Sequence, residues 1–458
     1  MRYDVAIIGA GPAGAFCALR LKMLAPNLKI CVIDEGDSIE KRTCPAEITG
    51  RCMQCRVCAI THGFSGAGAF SDCKLSLYNP EDETFVGGEL ERFLSAEELK
   101  TTIDEVVEQY VKFGAPYQRV GGKSNPIAKK WIQRAKERNL ELVTVPFMHT
   151  GTKKARKTFF AIQESLMRRN VIFKFNSKAE KVEKNNGFFV VTFNKKIIQA
   201  KKVVLATGRA GAQWTKSLCS KLGLEVKEGT IKLGIRYELP NSVMGELNIL
   251  YEPKFKMPAT EETDAALTFC HNPGGRVVSE SYDGVITLAN GHADDDKTQN
   301  TNMALLFKMN LGNNAIETAK KMALKINSVT DGQVMVQRWG DFLLDQPTTV
   351  EALTRNSVMP TLLTAKPGNL QLAMNERMIK NLKTFIPSLD NVIQGAANYD
   401  NLMYGLEIKF SNLIIKLDEN FMTSLEGLYA IGDGSGITNG LIQASCSGWL
   451  LAEKILKK

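Results

Sequence analysis

Gly9-Ala10-Gly11-Pro12-Ala13-Gly14 follows the apolar run Asp4-Val5-Ala6-Ile7-Ile8 and opens a stretch with an apolar helical face. Two isoleucines and a valine suit a buried parallel strand. Gly9 permits a tight turn, Gly11 lets backbone approach a pyrophosphate, and Gly14 lets the helix pack close to the strand. Pro12 falls in the first helical turn, where its missing N–H costs nothing. The helix is expected to reach about Leu24, with Ala13, Phe16, Ala18, Leu19 and Leu21 on its apolar face. Its N-terminus offers backbone N–H groups and a positive dipole end to phosphates. A second strand spans Lys29 to Asp34, and Glu35 follows Gly14 at the spacing of an acid that hydrogen-bonds ribose hydroxyls. Strand, turn, helix, second strand and the acids Asp34 and Glu35 together predict a Rossmann-type unit that binds a dinucleotide.

A chain of 458 residues is expected to form two or three domains. Hydrophobic residues at 44% and charged residues at 23% describe an ordinary globular composition. Tyr3 to Ile8 reads as a strand rather than a signal peptide, and no apolar run is long enough to span a membrane. A cytoplasmic location is therefore expected. There the ten cysteines are expected as thiols, metal ligands or redox groups rather than structural disulfides. The net charge of +9 is unevenly placed: Lys123 to Lys202 holds 20 Lys/Arg against 5 Glu and no Asp. A solvated helix face, as in Ala128 to Asn139, accounts for much of this. The competing reading is an acidic partner: a small electron carrier, a phosphorylated substrate or nucleic acid.

Two distant segments select FAD. Val203-Val204-Leu205-Ala206-Thr207-Gly208 resembles the strand-plus-Ala-Thr-Gly element of two-dinucleotide-binding-type, glutathione-reductase-like flavoproteins. Gly427-Leu428-Tyr429-Ala430-Ile431-Gly432-Asp433 resembles their second signature, whose aspartate binds the ribityl chain. Gly434 to Gly448 then leads into a C-terminal helix expected to face the flavin ring. No second G-x-G-x-x-G follows a strand, so NAD(P)H is expected to visit transiently or another carrier to reduce the flavin.

Three further stretches resemble the uncharacterised FAD-dependent dehydrogenases. They are Gly63-Phe64-Ser65-Gly66-Ala67-Gly68-Ala69-Phe70-Ser71-Asp72-Cys73-Lys74-Leu75, Thr268-Phe269-Cys270-His271-Asn272-Pro273-Gly274-Gly275, and Asn290-Gly291. The resemblance covers most of the chain and implies an FAD fold and dehydrogenase chemistry. It departs at Cys73, where the family usually shows glycine. The first stretch is rich in small residues and fit for close backbone approach to a cofactor, which makes Gly66, Gly68, Ala69, Phe70 and Ser71 candidate FAD contacts beside Gly9, Gly11, Ala13, Gly14, Thr207, Gly208, Gly432 and Asp433.

Cys52-x2-Cys55-x2-Cys58 has the spacing that wraps three corners of an iron–sulfur cube, and Cys44-Pro45 offers the fourth. Here the remote cysteine comes first rather than last. A [4Fe–4S] cluster is the leading reading, redox-active or merely reduced thiols come second, and tetrahedral zinc on the same four cysteines is the third. Arg51 and Arg56 would offset a cluster's negative charge.

The expected fold class is α/β: a discontinuous, three-layer Rossmann-type FAD-binding domain with a β-meander, an α+β substrate domain and a small helical insertion. The boundaries are 1–95 for the first FAD piece with its cysteine-rich loop 44–58, 96–145 for the insertion, 146–232 for the second piece, 233–397 for the substrate domain and 398–458 for the third piece. Within the substrate domain, Ile231–Tyr237, Arg276–Ser279 and Gly284–Leu288 read as strands, and Asn302–Met309 and Ala315–Ile326 as helices. His271, His62 and Lys74 are the candidate catalytic groups, histidine as a proton shuttle and Lys74 as a cation near the flavin, where it could instead pair with Asp72. His149 and His292 are weaker candidates. The expected function is an FAD-dependent oxidoreductase passing hydride between flavin N5 and a small-molecule substrate, with an iron–sulfur relay to an acidic electron carrier. An RNA-modifying or RNA-binding flavoprotein using the basic 123–202 segment is the alternative; the lack of aromatic residues interleaved with its lysines weighs against nucleic acid.

Overall fold

The computed structural model describes residues 1–49, 53, 55–71, 73–77, 89–227, 231–250, 252–282, 286–293, 296–309, 315–410 and 413–457. The apolar run at the start of the chain becomes β1 (Arg2–Ile8), the middle of a mixed sheet. The strand order is β7 (Ile172–Lys174), β2 (Ile30–Ile33), β1, β10 (Lys196–Leu205), β9 (Phe188–Phe193) and β8 (Ala179–Asn185), with β22 (Leu428–Ala430) also on β10. Ile8 pairs in parallel register with Ile33 on one side and Leu205 on the other. Both faces of β1 are covered, which is why its sequence is continuously apolar rather than alternating. The expected meander is present as β8, β9 and the first half of β10, and β10 then continues as a parallel strand of the same sheet.

An eight-stranded sheet forms the second layer. Its order is β19 (Lys366–Pro367), β18 (Met335–Arg338), β20 (Leu402–Phe410), β12 (Ile231–Pro240), β17 (Asn300–Phe307), β14 (Ala266–Pro273), β13 (Lys254–Met257) and β5 (Glu141–Val143). The smaller sheets are β3 (Lys74–Ser76) with β6 (Phe147–His149) and β4 (Arg119–Val120), the hairpin β15 (Arg276–Tyr282) and β16 (Ile286–His292), and β11 (Val226–Lys227) with β21 (Ile414–Ile415). In chain order the helices are α1 (Pro12–Leu24), α2 (Ala46–Thr49), α3 (Ala96–Lys112), α4 (Pro126–Lys136), α5 (Thr152–Arg168), α6 (Ala212–Lys221), α7 (Asn241–Met244), α8 (Ala315–Val329), α9 (Trp339–Leu343), α10 (Val350–Thr354), α11 (Glu376–Val392) and α12 (Leu441–Lys457).

The stretch Asn302–Met309, expected as a helix, is strand β17. Ala304, Leu305 and Leu306 favour helix locally, but the segment pairs with β12 on one side and β14 on the other. All eight residues of β17 are buried, so the pattern carries no period and pairing with the neighbouring strands overrides propensity. Segment 96–145 is divided between two cores: Leu99, Ile103, Val106 and Tyr110 of α3 pack beneath the dinucleotide turn, whereas Ala128, Trp131 and Ala135 of α4 pack under the eight-stranded sheet. The basic residues of 123–202 are likewise spread over α4, α5 and the meander. Several are paired, as Lys130 with Glu246, Lys178 with Glu35 and Lys201 with Asp4. No helix among the described residues is long and apolar enough to cross a membrane.

Helices α1 and α12 cross at closest approach where Gly448 meets Ala13. A Cβ on Gly448 would lie 2.0 Å from the Ala13 carbonyl oxygen and 2.9 Å from the Cys17 nitrogen. Gly448→Ala gains about 1 kcal/mol of helix propensity, but the helices must separate to admit the methyl group, and overpacking of this kind costs about 1–3 kcal/mol. The expected result is net destabilisation in urea unfolding. A more stable variant would show that the crossing is not close.

Candidate functional site

The turn after β1 is built so that three distant loops meet at the start of α1. Gly9 takes φ +107°, and a Cβ there would sit 2.2 Å from the Ala206 oxygen at the end of β10. Gly14 lies over the Gly9 oxygen with the same stringency, at 2.1 Å. Ser65 donates its backbone N–H to the Ala10 oxygen at 2.8 Å, which brings the loop 63–71 alongside, with Gly66 near the Gly11 Cα. A Cβ on Gly432 would touch that of Ala13 at 2.8 Å, and one on Gly434 would touch the Gly208 nitrogen and the Thr207 hydroxyl, both at 2.8 Å. Gly9, Gly11, Ala13, Gly14, Gly66, Thr207, Gly208, Gly432 and Gly434 are thus one neighbourhood, as their sequence motifs lead one to expect. Gly68 and Ala69 lie behind it, against Phe159 of α5 and Leu441 of α12.

Gly11 differs from its neighbours. Its φ of −65° and ψ of −178° are open to any residue, and no atom lies within 4 Å of the point where a Cβ would stand. Neither backbone conformation nor protein packing requires glycine there. The open volume sits at the N-terminus of a 13-residue helix with no acidic side chain in its first turn. Such a cradle fits a pyrophosphate.

The acids after β2 serve the loops around this cradle. Asp34 Oδ2 accepts from the Ala10 N–H at 2.7 Å, and Oδ1 accepts from Gly36 at 2.8 Å and Gly63 at 2.7 Å. Three of a carboxylate's roughly four acceptor positions are therefore filled by backbone. Glu35 instead pairs with Lys178 at 3.1 Å near the surface. Asp433 accepts from the Thr438 hydroxyl at 2.7 Å, with Arg209 at 3.6 Å. Burial raises its carboxyl above the usual range, against the pull of Arg209.

Sequence reasoning overlooked Arg42. Its buried guanidinium donates to the Ala59, Ile60 and Phe64 carbonyls and to the Ser65 hydroxyl, tying the cysteine-rich segment to the glycine loop. Phe70 lies against both Arg42 and Arg156, at 4.7 and 4.9 Å from its ring centre. Burial lowers the Arg42 guanidinium to about 10. Ser71 closes the loop, its hydroxyl donating to the Gly68 oxygen at 2.8 Å and accepting from the Cys73 N–H at 3.1 Å. Cys73 adopts φ +52°, a left-handed backbone conformation that favours glycine.

Of the candidate cluster ligands, Cys55 and Cys58 stand outside any disulfide, Cys44 is half-buried ahead of them, and Cys52 lies outside the described residues, as does Asp72. Among the described residues no group of three or more His, Cys, Asp or Glu side chains is placed to hold a metal. His62 lies beside this segment, its Nδ1 2.9 Å from the Thr61 hydroxyl and 3.3 Å from the Cys58 oxygen.

Lys74 and His271 meet in a second neighbourhood on the eight-stranded sheet. The Lys74 ammonium pairs with Glu252 at 2.8 Å and donates to the His271 carbonyl at 3.3 Å. Glu252 Oε1 accepts from the Cys270 N–H at 2.9 Å. Burial would raise the Glu252 carboxyl, but the ammoniums of Lys74 and Lys254 outweigh it and hold the group below its ordinary value. Cys270 takes φ +51° within a bulge of β14 against β17, and its carbonyl accepts from the fully buried Arg236 at 2.6 Å. Arg236 also donates to Asn302 Oδ1 at 2.8 Å and faces Glu407 at 3.5 Å, which is in turn 2.9 Å from Lys409. Arg236, Glu252, Asn302, Glu407 and Lys409 were missed by sequence reasoning. The signal was the alternation Lys232-Leu233-Gly234-Ile235-Arg236-Tyr237-Glu238, which marks a strand with one charged face.

Residues 241–409 match the family described as FAD-dependent protein, C-terminal domain-like. The match covers Glu252, His271 and Glu407 and ends within β20. Across 99% of its length the chain is 26% identical to a protein of Clostridium beijerinckii described as an uncharacterized protein, of which it covers 80%. Among solved structures, it is similar to glycine oxidase from Geobacillus kaustophilus, with 12% identity, a TM-score of 0.41, and coverage of 100% of this chain and 95% of that one. It is also similar to E. coli quinol fumarate reductase, with 13% identity, a TM-score of 0.47, and coverage of 100% of this chain and 70% of that one.

Proposed function

We propose that the protein is an FAD-dependent oxidoreductase of the two-dinucleotide-binding type, which passes hydride between the flavin and a small molecule seated at Lys74, Glu252 and His271. The single observation that carries the reading is Gly11, a glycine with unrestricted backbone and empty space at its Cβ in the middle of a converged glycine cradle. The family match over residues 241–409 supports the choice of FAD. The first turn of α1, with Gly11 and Gly66, would hold the pyrophosphate, and Thr207, Gly208 and Asp433 would approach the ribityl chain. When bound there, FAD supplies a ring that accepts or gives hydride.

The chain's own residues set the surroundings. Glu252 stays ionised, so it holds Lys74 as an ammonium and fixes its Nζ at the end of the run Gly63–Lys74 that starts at the cradle. His271 is buried on the same bulge and is the proposed proton carrier, its backbone oxygen anchored on Lys74. The cysteines Cys44, Cys52, Cys55 and Cys58 are the proposed electron relay, supported by their spacing, and the basic faces of α4 and α5 are the proposed dock for an acidic carrier.

Anaerobic purification followed by flavin, iron and acid-labile sulfide assays tests both parts. One FAD per chain is expected, with iron and sulfide each near about four per chain if the cysteines hold a cube. A chain purified without flavin that does not take up added FAD would end the first part; flavin without iron would end the second.

A further inference from the structure

Helix α5 is basic out of proportion to its length. Residues 152–169 hold six Lys or Arg against a single acid, Glu164, which pairs with Arg168 at 3.7 Å. Lys153, Lys157, Phe160, Glu164 and Met167 recur at steps of four and three, so they form one stripe along the helix, about 20 Å long. The opposite stripe, Ala155, Phe159, Ile162 and Leu166, is buried in the core. The outer stripe nevertheless keeps two large apolar side chains in the open, Phe160 at 44% and Met167 at 47% exposed. Cations at both ends with apolar groups between them are the anatomy of a docking patch, not of a helix face that is merely solvated.

Helix α4, the other basic helix, lacks this pattern. Its Ile127, Trp131 and Ile132 are buried or half-buried, Lys130 pairs with Glu246, and Arg134 lies over the Trp131 ring at 4.9 Å. α5 also stands against the dinucleotide cradle, whereas α4 packs under the eight-stranded sheet. On the inner side of α5, Phe159 meets the glycine loop at Gly68, where a Cβ would come within 3.1 Å of the ring. Arg156 donates to the Arg42 oxygen at 2.8 Å, Arg42 donates to the Ser65 hydroxyl at 3.0 Å, and the Ser65 N–H donates to the Ala10 oxygen. One helix diameter, about 10–12 Å, therefore separates the outer stripe from the loop that closes the cradle.

We infer that the outer face of α5, with Phe160 and Met167 at its centre and Lys153, Lys157 and Arg168 around them, docks a small acidic electron-carrier protein. The choice of a carrier rests on the flavin reading above, and the inference confines the dock to α5. A patch of this size suits the small, transient encounters of redox partners, in which charge steers and a few apolar contacts hold. A lipid surface would need a continuous apolar face, and that face of α5 is spent on the core. Tracking a nucleic-acid strand would need several aromatic rings, and the stripe has one.

The test is calorimetric titration of the purified protein with two probes, an acidic plant-type ferredoxin and an acidic flavodoxin, at ionic strengths of about 0.01 M and 0.15 M. Saturable binding of at least one is expected, weaker at the higher salt. Lys157→Glu is expected to weaken it about tenfold at low salt and to flatten its salt dependence. Phe160→Ala is expected to weaken it about tenfold or more at both salts and to keep the salt dependence as it was. Lys221→Glu, exposed on α6, leaves both unchanged. Lys157 and Phe160 both reach solvent, so each variant reads the patch should the other fail to fold. Absence of saturable binding by both carriers, or unchanged affinity in a folded Lys157→Glu or Phe160→Ala, overturns the inference. Tighter binding of phosphatidylserine vesicles or of transfer RNA, lost in the same two variants, would give the face to a membrane or a nucleic acid and overturn it as well. The titration does not depend on flavin. Carrier binding by a chain that takes up no FAD would therefore sink the oxidoreductase reading alone, and FAD binding without carrier binding would sink the dock alone.

Discussion

Gly11→Val is expected to fold as the parent does and to lose FAD. Valine accepts the extended backbone at this position, and no protein atom stands within 4 Å of its Cβ. Its poorer capping of α1 costs about 1 kcal/mol, which lowers the melting temperature of the flavin-free form by no more than about 4 °C. The same branched side chain would occupy the space that a pyrophosphate needs. FAD affinity, measured by fluorescence titration of flavin-free protein, is therefore expected to fall by about 100-fold or more, equivalent to about 2.7 kcal/mol. Gly9→Ala and Gly14→Ala cannot make this separation, because each would strike backbone oxygen at 2.2 and 2.1 Å and so disturb the fold itself. Undiminished FAD binding by Gly11→Val would move the dinucleotide away from this cradle.

The largest stability effect is expected at Glu407. This carboxylate is fully buried and faces two cations, Arg236 at 3.5 Å and Lys409 at 2.9 Å. Glu407→Gln keeps the shape but takes the counter-charge from the fully buried Arg236 and from the partly exposed Lys409 beside it, which costs about 3–5 kcal/mol. Arg236→Met is expected to be milder. It leaves Glu407 with Lys409, and it leaves the Cys270 oxygen and Asn302 Oδ1 with the Asn272 amide at 3.2 and 3.3 Å. Its cost should be about 1–3 kcal/mol from the remaining unmet acceptors. Urea unfolding of the two variants checks the order. Equal effects, or a milder Glu407→Gln, would mean that Lys409 and Arg236 are not held by this one carboxylate. Gly291 must stay small for the same network, because a Cβ there would lie 1.7 Å from an Arg236 guanidinium nitrogen.

The amino-acid sequence by itself determined the dinucleotide half of the molecule. Gly9, Gly11 and Gly14 act within one turn, and the strand before them and the helix after them are adjacent in the chain, so local spacing encodes the geometry directly. The Ala206-Thr207-Gly208 and Gly432-Asp433 motifs could be read because each follows a short apolar stretch, Val203–Leu205 and Leu428–Ala430, and the two stretches pair in parallel. The half built on the eight-stranded sheet was decided by tertiary structure. Asn300–Phe307 is a strand because β12 and β14 flank it, a fact that its helix-favouring composition hides. Lys74, Arg236, Glu252, Lys254, His271 and Glu407 come together from β3, β12, β13, β14, β20 and the adjoining loop, and no local period connects them. Each alternating strand announces that it has a charged face. Which charges then share that face follows only from strand order and register.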